Sequence, residues 1–356
     1  MRFHLDSDQT AIQDVVHGAV SSVLTRDKLH VFIDGNDDFE PDSWQAVCEL
    51  EMAGLMLPED QGGSGLGLVE AALVIESIGK AGAPGPFIGQ LLTAIALSET
   101  DNDTARSAWL KRVASGEAVA TFAFGGDWLP TGWTVSVEDG KASGEVRFVP
   151  SASAAKVFLT GTEGGGLALV EASNAVSVTP LKSTDRSRPA STVSFEEATA
   201  HELFPPGDDG VQRIFDAALV LLAADALGGA QYCLDLSVEY AKERKQFGQP
   251  IGRFQALKHQ LSTMALNVEP ARALVWYAAH AWDMKQEDAP RSAALAKAHL
   301  CDRFVEVARD AIAAHGGIGY TWEYGLNIWF RRSVFDRVVL GSPAVHRARA
   351  ADLAGW

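Results

Sequence analysis

The densest chemistry in this 356-residue chain lies at Glu243-Arg-Lys-Gln-Phe-Gly-Gln-Pro-Ile251, continuing Gly-Arg-Phe-Gln-Ala-Leu-Lys-His259. A helix rich in Ala and Leu runs into a basic pair, a Phe-Gly break and a proline, and a new helix follows. Such a break frees backbone N–H groups at the new helix start and sets Arg244 beside them, which suits an anionic pyrophosphate. A second segment, Ala313-Ala-His-Gly-Gly-Ile-Gly-Tyr-Thr-Trp-Glu323, places a glycine pair directly after His315. That histidine reads equally as a capping or core residue and as a cofactor contact. A third, Leu57-Pro-Glu-Asp-Gln-Gly-Gly-Ser-Gly-Leu66, reads by itself as a turn between helices.

These segments need elements to position them. Residues 1–118 read as an N-terminal helical domain, with helices at 11–24, 42–52, 69–81 and 105–114. Ser7-Asp-Gln-Thr10 is a candidate cap for the first. Residues 119–207 read as a small antiparallel β domain. Its runs at 118–124, 133–137, 144–149, 156–160, 167–171, 176–180 and 190–195 are rich in Val, Thr and Phe, and Asp139-Gly-Lys and Glu163-Gly-Gly-Gly fit hairpin loops. Residues 208–356 read as a C-terminal helical bundle, with helices at 210–242, 254–284, 292–315, 324–335 and 343–353. Pro270 is expected to kink the second of these, and Gly228-Gly229 marks close helix packing. The fold class is therefore α+β and mainly helical.

Composition narrows the function. A formal charge of -16 argues against nucleic-acid or anionic-membrane partners, which demand a basic face. Cys48, Cys233 and Cys301 are widely spaced with no CxxC, so neither a disulfide framework nor a metal site is expected. The start, Met-Arg-Phe-His-Leu-Asp, lacks a signal-peptide pattern. The most apolar run, 215–227, is broken by Asp216 and Asp225 and reads as a buried helix too short to span a bilayer. A cytoplasmic protein is expected.

Three segments in order resemble the acyl-CoA dehydrogenase family: the Pro58-Glu-Asp-Gln-Gly-Gly-Ser-Gly65 loop, followed by Glu76-Ser-Ile-Gly79 and Ala83-Pro-Gly-Pro-Phe87; the Arg244 junction; and the Gly316-Gly317 segment. The likeness covers both helical blocks and implies that family's fold, with a C-terminal four-helix bundle. It implies FAD shared at a subunit interface. Arg244 would contact the pyrophosphate of a neighbour's FAD, with Gln246 and Phe247 lining the same site. Ile251, Phe254 and Gln255 would surround the adenosine end. Gly316 and Gly317 would let backbone approach the pyrophosphate closely, as only residues without a Cβ permit. The helices at 208–243 and 254–284 are expected to face the partner.

The resemblance fails where the chemistry should be. The family removes an α-proton with a carboxylate while the β-hydrogen leaves as hydride to the flavin. Leu340 stands at the usual base position, and Ala218 stands at the second known one. Asp216 is two residues away, about 200° around the helix. In the β domain, Ala123-Phe-Gly-Gly-Asp-Trp-Leu-Pro-Thr131 and Phe148-Val-Pro-Ser151 replace the loops that hold the isoalloxazine, and Pro150 has neither the hydroxyl nor the N–H needed there.

Retention of the reaching part and loss of the holding part resemble the shorter subunit of the α2β2 dehydrogenases of actinobacterial steroid side-chain degradation. This implies a longer partner subunit carrying the catalytic Glu, an acyl-CoA substrate of the bulky steroid side-chain type, and an electron-transfer flavoprotein as acceptor. Two other readings stay open: an active homo-oligomer with a displaced base, Asp216 or Glu239, and a non-redox scaffold of the same fold.

Overall fold

The computed structural model describes residues 4–37, 39–125 and 128–356. The first three residues of the leader reading, and Gly126 and Asp127 of the altered flavin loop, lie outside the described residues.

Among the described residues six α-helices come first: α1 (Ser7–Val23), α2 (Arg26–Asp34), α3 (Pro41–Glu49), α4 (Leu68–Ala81), α5 (Phe87–Glu99) and α6 (Asp103–Ala114). The cap of α1 is Asp6, not the Ser7–Thr10 segment. Its carboxylate accepts from the Asp8 and Gln9 N–H groups at 3.0 and 2.9 Å, while the Gln9 side chain accepts from the Asp6 N–H. Helices α2 and α5 were not expected from the sequence. The α5 run is buried on nearly every side, so no polar face exists to give it a helical period.

The β block has seven strands: β1 (Ala120–Ala123), β2 (Ser136–Glu138), β3 (Lys141–Pro150), β4 (Val157–Thr162), β5 (Gly166–Glu171), β6 (Val176–Pro180) and β7 (Ala190–Phe204). The order is β1-β4-β5-β7-β3-β2, with β6 also on β7. The expectation of a wholly antiparallel sheet is corrected at one place. β1 runs parallel to β4, because the β2–β3 hairpin intervenes and returns the chain in the same direction. That hairpin turns at Asp139 and Gly140, both at positive φ, as a primed two-residue turn requires. Gly164 and Gly165 turn the β4–β5 hairpin, also at positive φ.

Five helices follow: α7 (Asp209–Glu243), α8 (Gln255–Asp283), α9 (Ala289–His315), α10 (Leu326–Val338) and α11 (Pro343–Asp352). Helices α7 to α10 pack on one another, and α11 lies on α9. By length and composition α7 could cross a membrane, but 89% of its apolar window is buried inside the protein. Burial differs along the two long helices. From Val211 to Ala230 α7 is a core helix, so α8 keeps an exposed apolar stripe at Leu266 and Leu274 while α7 does not. Pro270 sits within α8, which continues unbroken on both sides.

Three devices lock the blocks together. A Cβ at Gly228 would strike the Glu76 carbonyl, one at Gly79 the Asp225 carbonyl, and one at Gly229 the Phe304 ring, so α4, α7 and α9 approach closely. The Asp283 carboxylate at the end of α8 accepts from the Leu68 and Val69 N–H groups at 2.7 and 3.2 Å, capping α4 from outside its own block. A buried ionic cluster joins α7, α10 and the segment before β7.

Candidate cofactor edge and closed cavity

Arg244 is the first residue past α7. Its N–H donates to the Tyr240 carbonyl at 2.9 Å, and its carbonyl accepts from the Ile251 N–H at 2.8 Å. Between them lie two short antiparallel strands, β8 (Lys245–Gln246) and β9 (Gln249–Pro250). Phe247 and Gly248 turn this hairpin at φ of 53° and 77°. Phe247 is thrust outward, 91% exposed, with only an edge contact to Phe254 at 5.9 Å. A positive φ is uncommon for a bulky residue such as Phe247. The Arg244 guanidinium is exposed and forms no ion pair with a described residue. Gln246 is exposed and folds its amide onto the Lys245 carbonyl. Ile251 and Phe254 are half-buried. Gln255 is exposed at the first turn of α8, which has no side-chain cap.

The second segment is brought to the same place. α9 ends at His315, and Gly316 follows at φ 63°, ψ −139°, a conformation that only glycine adopts at low cost. At neither Gly316 nor Gly317 would a Cβ meet any atom within 4 Å. Gly319 differs, since a Cβ there would strike the Ile312 carbonyl. The first pair therefore leaves open backbone facing outward, and the third serves the fold. His315 lies between Tyr240 at 4.4 Å and Tyr324 at 4.9 Å, with Nδ1 against the Ala311 carbonyl at 2.7 Å. Burial pushes its pKa down, so it is a neutral core histidine. The Tyr240–His315 stack is the physical link between the Arg244 turn and the glycine pair.

The base positions are elsewhere and closed. Leu340 is 1% exposed at φ 58°, and its carbonyl accepts from His346 Nε2 at 2.6 Å. With Ile75, Phe87, Phe122, Pro150 and Leu222 it lines a cavity of ≈ 30 Å³. That is room for about two water molecules. A drug-sized ligand takes roughly 300 Å³ or more. Ala218 is fully buried on α7. Asp216 accepts from Arg349 at 2.6 Å and Gln212 at 3.0 Å and does not border the cavity. Burial pushes its carboxyl up, against the pull of Arg349. Glu239 is an exposed charge bound to Lys242 at 2.6 Å.

The cavity's polar wall was missed in the sequence. Asp225 takes two bonds from Arg332, at 2.6 and 3.0 Å, and a third from Arg188. Arg188 also reaches Asp336 at 2.5 Å. Burial pushes Asp225 up, but Arg188 and Arg332 outweigh it and hold its carboxyl well below the usual range. Asp336 goes the other way, raised by burial and by the Asp225 charge. These residues are scattered over the sequence and share no motif. The one signal was two aspartates interrupting the most apolar run. The residues thus fit the pyrophosphate end of a flavin nucleotide at an open edge, and the cavity beside Leu340 is narrow, ≈ 30 Å³.

Residues 6–117 match the family described as acyl-CoA dehydrogenase, N-terminal domain, and residues 209–354 the acyl-CoA dehydrogenase, C-terminal domain. Acyl-CoA dehydrogenase IpdE2 of Mycobacterium tuberculosis is 31% identical over 306 residues, covering 86% of this chain and 84% of that one. Its namesake in Mycolicibacterium smegmatis is 30% identical over 340 residues, with 95% and 96% covered. Among solved structures, a variant of the Tcur3481-Tcur3483 steroid ACAD superposes with a TM-score of 0.89 at 28% identity, covering 98% of each chain.

Proposed function

The chain belongs to the acyl-CoA dehydrogenase family, and from that premise we propose that it is the cofactor-completing, non-catalytic subunit of a heteromeric enzyme. A longer dehydrogenase subunit holds most of the FAD and carries the catalytic Glu. This chain offers Arg244, Gln246 and Phe247 to that FAD from one segment, with Ile251, Phe254 and Gln255 at its adenosine end. Gly316 and Gly317 supply the close backbone approach. When bound, the flavin supplies a hydride acceptor for the β-hydrogen of the acyl thioester.

The observation that carries this reading is the contrast between the two regions. The outward edge is open and unpaired: Phe247 is 91% exposed and nothing stands over the glycine pair. The inward cavity is ≈ 30 Å³ and ends on Leu340, which cannot accept a proton. An open edge beside a narrow cavity supports a role in completing a partner's site over one in holding this chain's own flavin. The similar Tcur3481-Tcur3483 protein is titled a steroid ACAD. That supports a bulky steroid-type acyl-CoA as the substrate of the complex; an electron-transfer flavoprotein as acceptor is part of the same proposal.

Expression alone and with a longer dehydrogenase subunit tests the proposal. The chain alone is expected to purify colourless. The pair is expected to be yellow, with one FAD for every two chains. Stoichiometric FAD in this chain by itself would overturn the proposal and favour an active homo-oligomer. A colourless pair would favour a non-redox scaffold.

A further inference from the structure

We propose that Arg26 is a second guanidinium for the cofactor's pyrophosphate, contributed by the N-terminal helical block. The inference rests on the cofactor reading above and adds to it a residue far in sequence from both cofactor segments.

Arg26 opens α2, directly behind the cap residue Thr25. Its side chain is held by two contacts that leave its charge intact. Nη2 donates to the Tyr232 hydroxyl at 3.1 Å, and the guanidinium carbon lies 5.6 Å from the centre of the Tyr324 ring. No described carboxylate lies within ion-pair distance of it. In a chain of formal charge -16, an arginine held by two tyrosines and left without an ion pair is a local positive site.

Its position follows from the rings. Tyr324 packs on His315 at 4.9 Å, and Tyr240 stacks on the other side of that imidazole at 4.4 Å. His315 is the residue before Gly316, and the Tyr240 carbonyl takes the Arg244 N–H. Arg26 and Arg244 are thus tied to one aromatic cluster, and the open glycine pair continues from that cluster. The Arg26 charge also reaches His315, adding to burial in lowering its pKa. A pyrophosphate carries two charged groups, and the planar fork of arginine matches phosphate oxygens in pairs. Holding Arg26 in advance by a hydroxyl and a ring face removes part of the ordering cost of that contact.

FAD and coenzyme A both contain an adenosine diphosphate, so the test must separate them. The complex with the partner subunit is prepared as wild type, Arg26→Met, Arg26→Lys and Arg244→Met. FAD dissociation is followed by flavin fluorescence at several salt concentrations, and acyl-CoA binding by calorimetry. Arg26→Met is expected to weaken FAD about tenfold or more and to flatten the salt dependence, with partial recovery in Arg26→Lys. FAD loss in Arg244→Met but not in Arg26→Met would sink this inference and leave the cofactor reading standing. No loss in either variant would sink both. Weaker acyl-CoA binding with FAD retained would assign Arg26 to coenzyme A instead. A lower melting temperature of the FAD-free complex with an unchanged salt slope would make Arg26 structural, again against the inference.

Discussion

Arg332 holds Asp225 through two hydrogen bonds, Nη2 to Oδ1 at 2.6 Å and Nε to Oδ2 at 3.0 Å, with each side chain 1% exposed. The pair joins α10 to α7 under the closed cavity. Arg332 also donates to the Ala83 carbonyl and the Ser187 hydroxyl, both at 3.3 Å, so one side chain touches all three blocks.

Asp225→Asn should therefore destabilise the chain strongly. Removing one member of a buried ion pair costs about 3–5 kcal/mol, because the remaining charge is left without compensation. The double replacement Asp225→Leu with Arg332→Met should cost less, since it removes both charges. Urea denaturation measures each. A loss below about 1 kcal/mol for Asp225→Asn, the value of an exposed pair, would mean that water reaches the cluster.

His346 gives the chain an acid-sensitive step. It is fully buried, and Nε2 donates to the Leu340 carbonyl, which fixes the tautomer of the ring. Burial lowers its pKa from 6.5 to about 4. A histidine with a depressed folded pKa stabilises the fold fully above 6.5, and that stability is lost as pH falls from 6.5 towards 4, where the unfolded chain takes the proton first. Between pH 7.5 and 5 wild type should lose about 2 kcal/mol more than His346→Gln does. Equal losses in urea melts at the two pH values would show that the histidine is already charged in the fold.

The sequence carried the order of the blocks because each has its own period. Strands show alternation and turn residues, and the long helices show caps and breaks such as Gly82 and the Arg244 junction. It missed α5, whose residues are buried all round and so lack a polar face. The parallel β1–β4 pair was also hidden, since pairing is set by chain path and not by local residue pattern. The segments proposed for the cofactor stand out in the sequence because each is a short contiguous motif. The wall of Asp225, Arg188, Arg332 and Asp336 was not, because its members meet only after folding. Asp216 and Asp225 looked like interruptions of an apolar helix. Each is in fact matched by an arginine from a distant helix, Arg349 and Arg332.

Leu340→Glu should not create a catalytic base. The new carboxylate would enter a space of ≈ 30 Å³ whose charged lining, Arg188 and Arg332, is already paired with Asp225. Burial without a partner raises a carboxyl pKa and costs stability, about 1–3 kcal/mol even for a neutral polar group. The expected result is a lower melting temperature and no dye-coupled acyl-CoA oxidation by the variant alone. Turnover in that variant would mean the cavity opens to substrate in solution, and the closed-site reading would fail.

Gly317→Ala separates the fold from the cofactor. Gly317 lies in the 3₁₀ turn Gly316–Tyr320, outside the positive-φ region, and an added Cβ would meet nothing within 4 Å. Alanine there is therefore unstrained in this chain, and the loss of backbone freedom in the unfolded state stabilises by about 0.4–1 kcal/mol at most. Gly319→Ala, whose Cβ would strike the Ile312 carbonyl, should by contrast lower the melting temperature of the chain alone. If the open face of Gly317 receives a pyrophosphate, the added methyl group occupies the space the phosphate needs. Gly317→Ala should then leave the melting temperature of the isolated chain unchanged or slightly raised while the complex loses FAD on dialysis. The two glycines, two positions apart, would thus fail in opposite assays. Full FAD retention by Gly317→Ala in the complex would show that nothing approaches this backbone closely, and the site would have to lie on the Arg244 side alone.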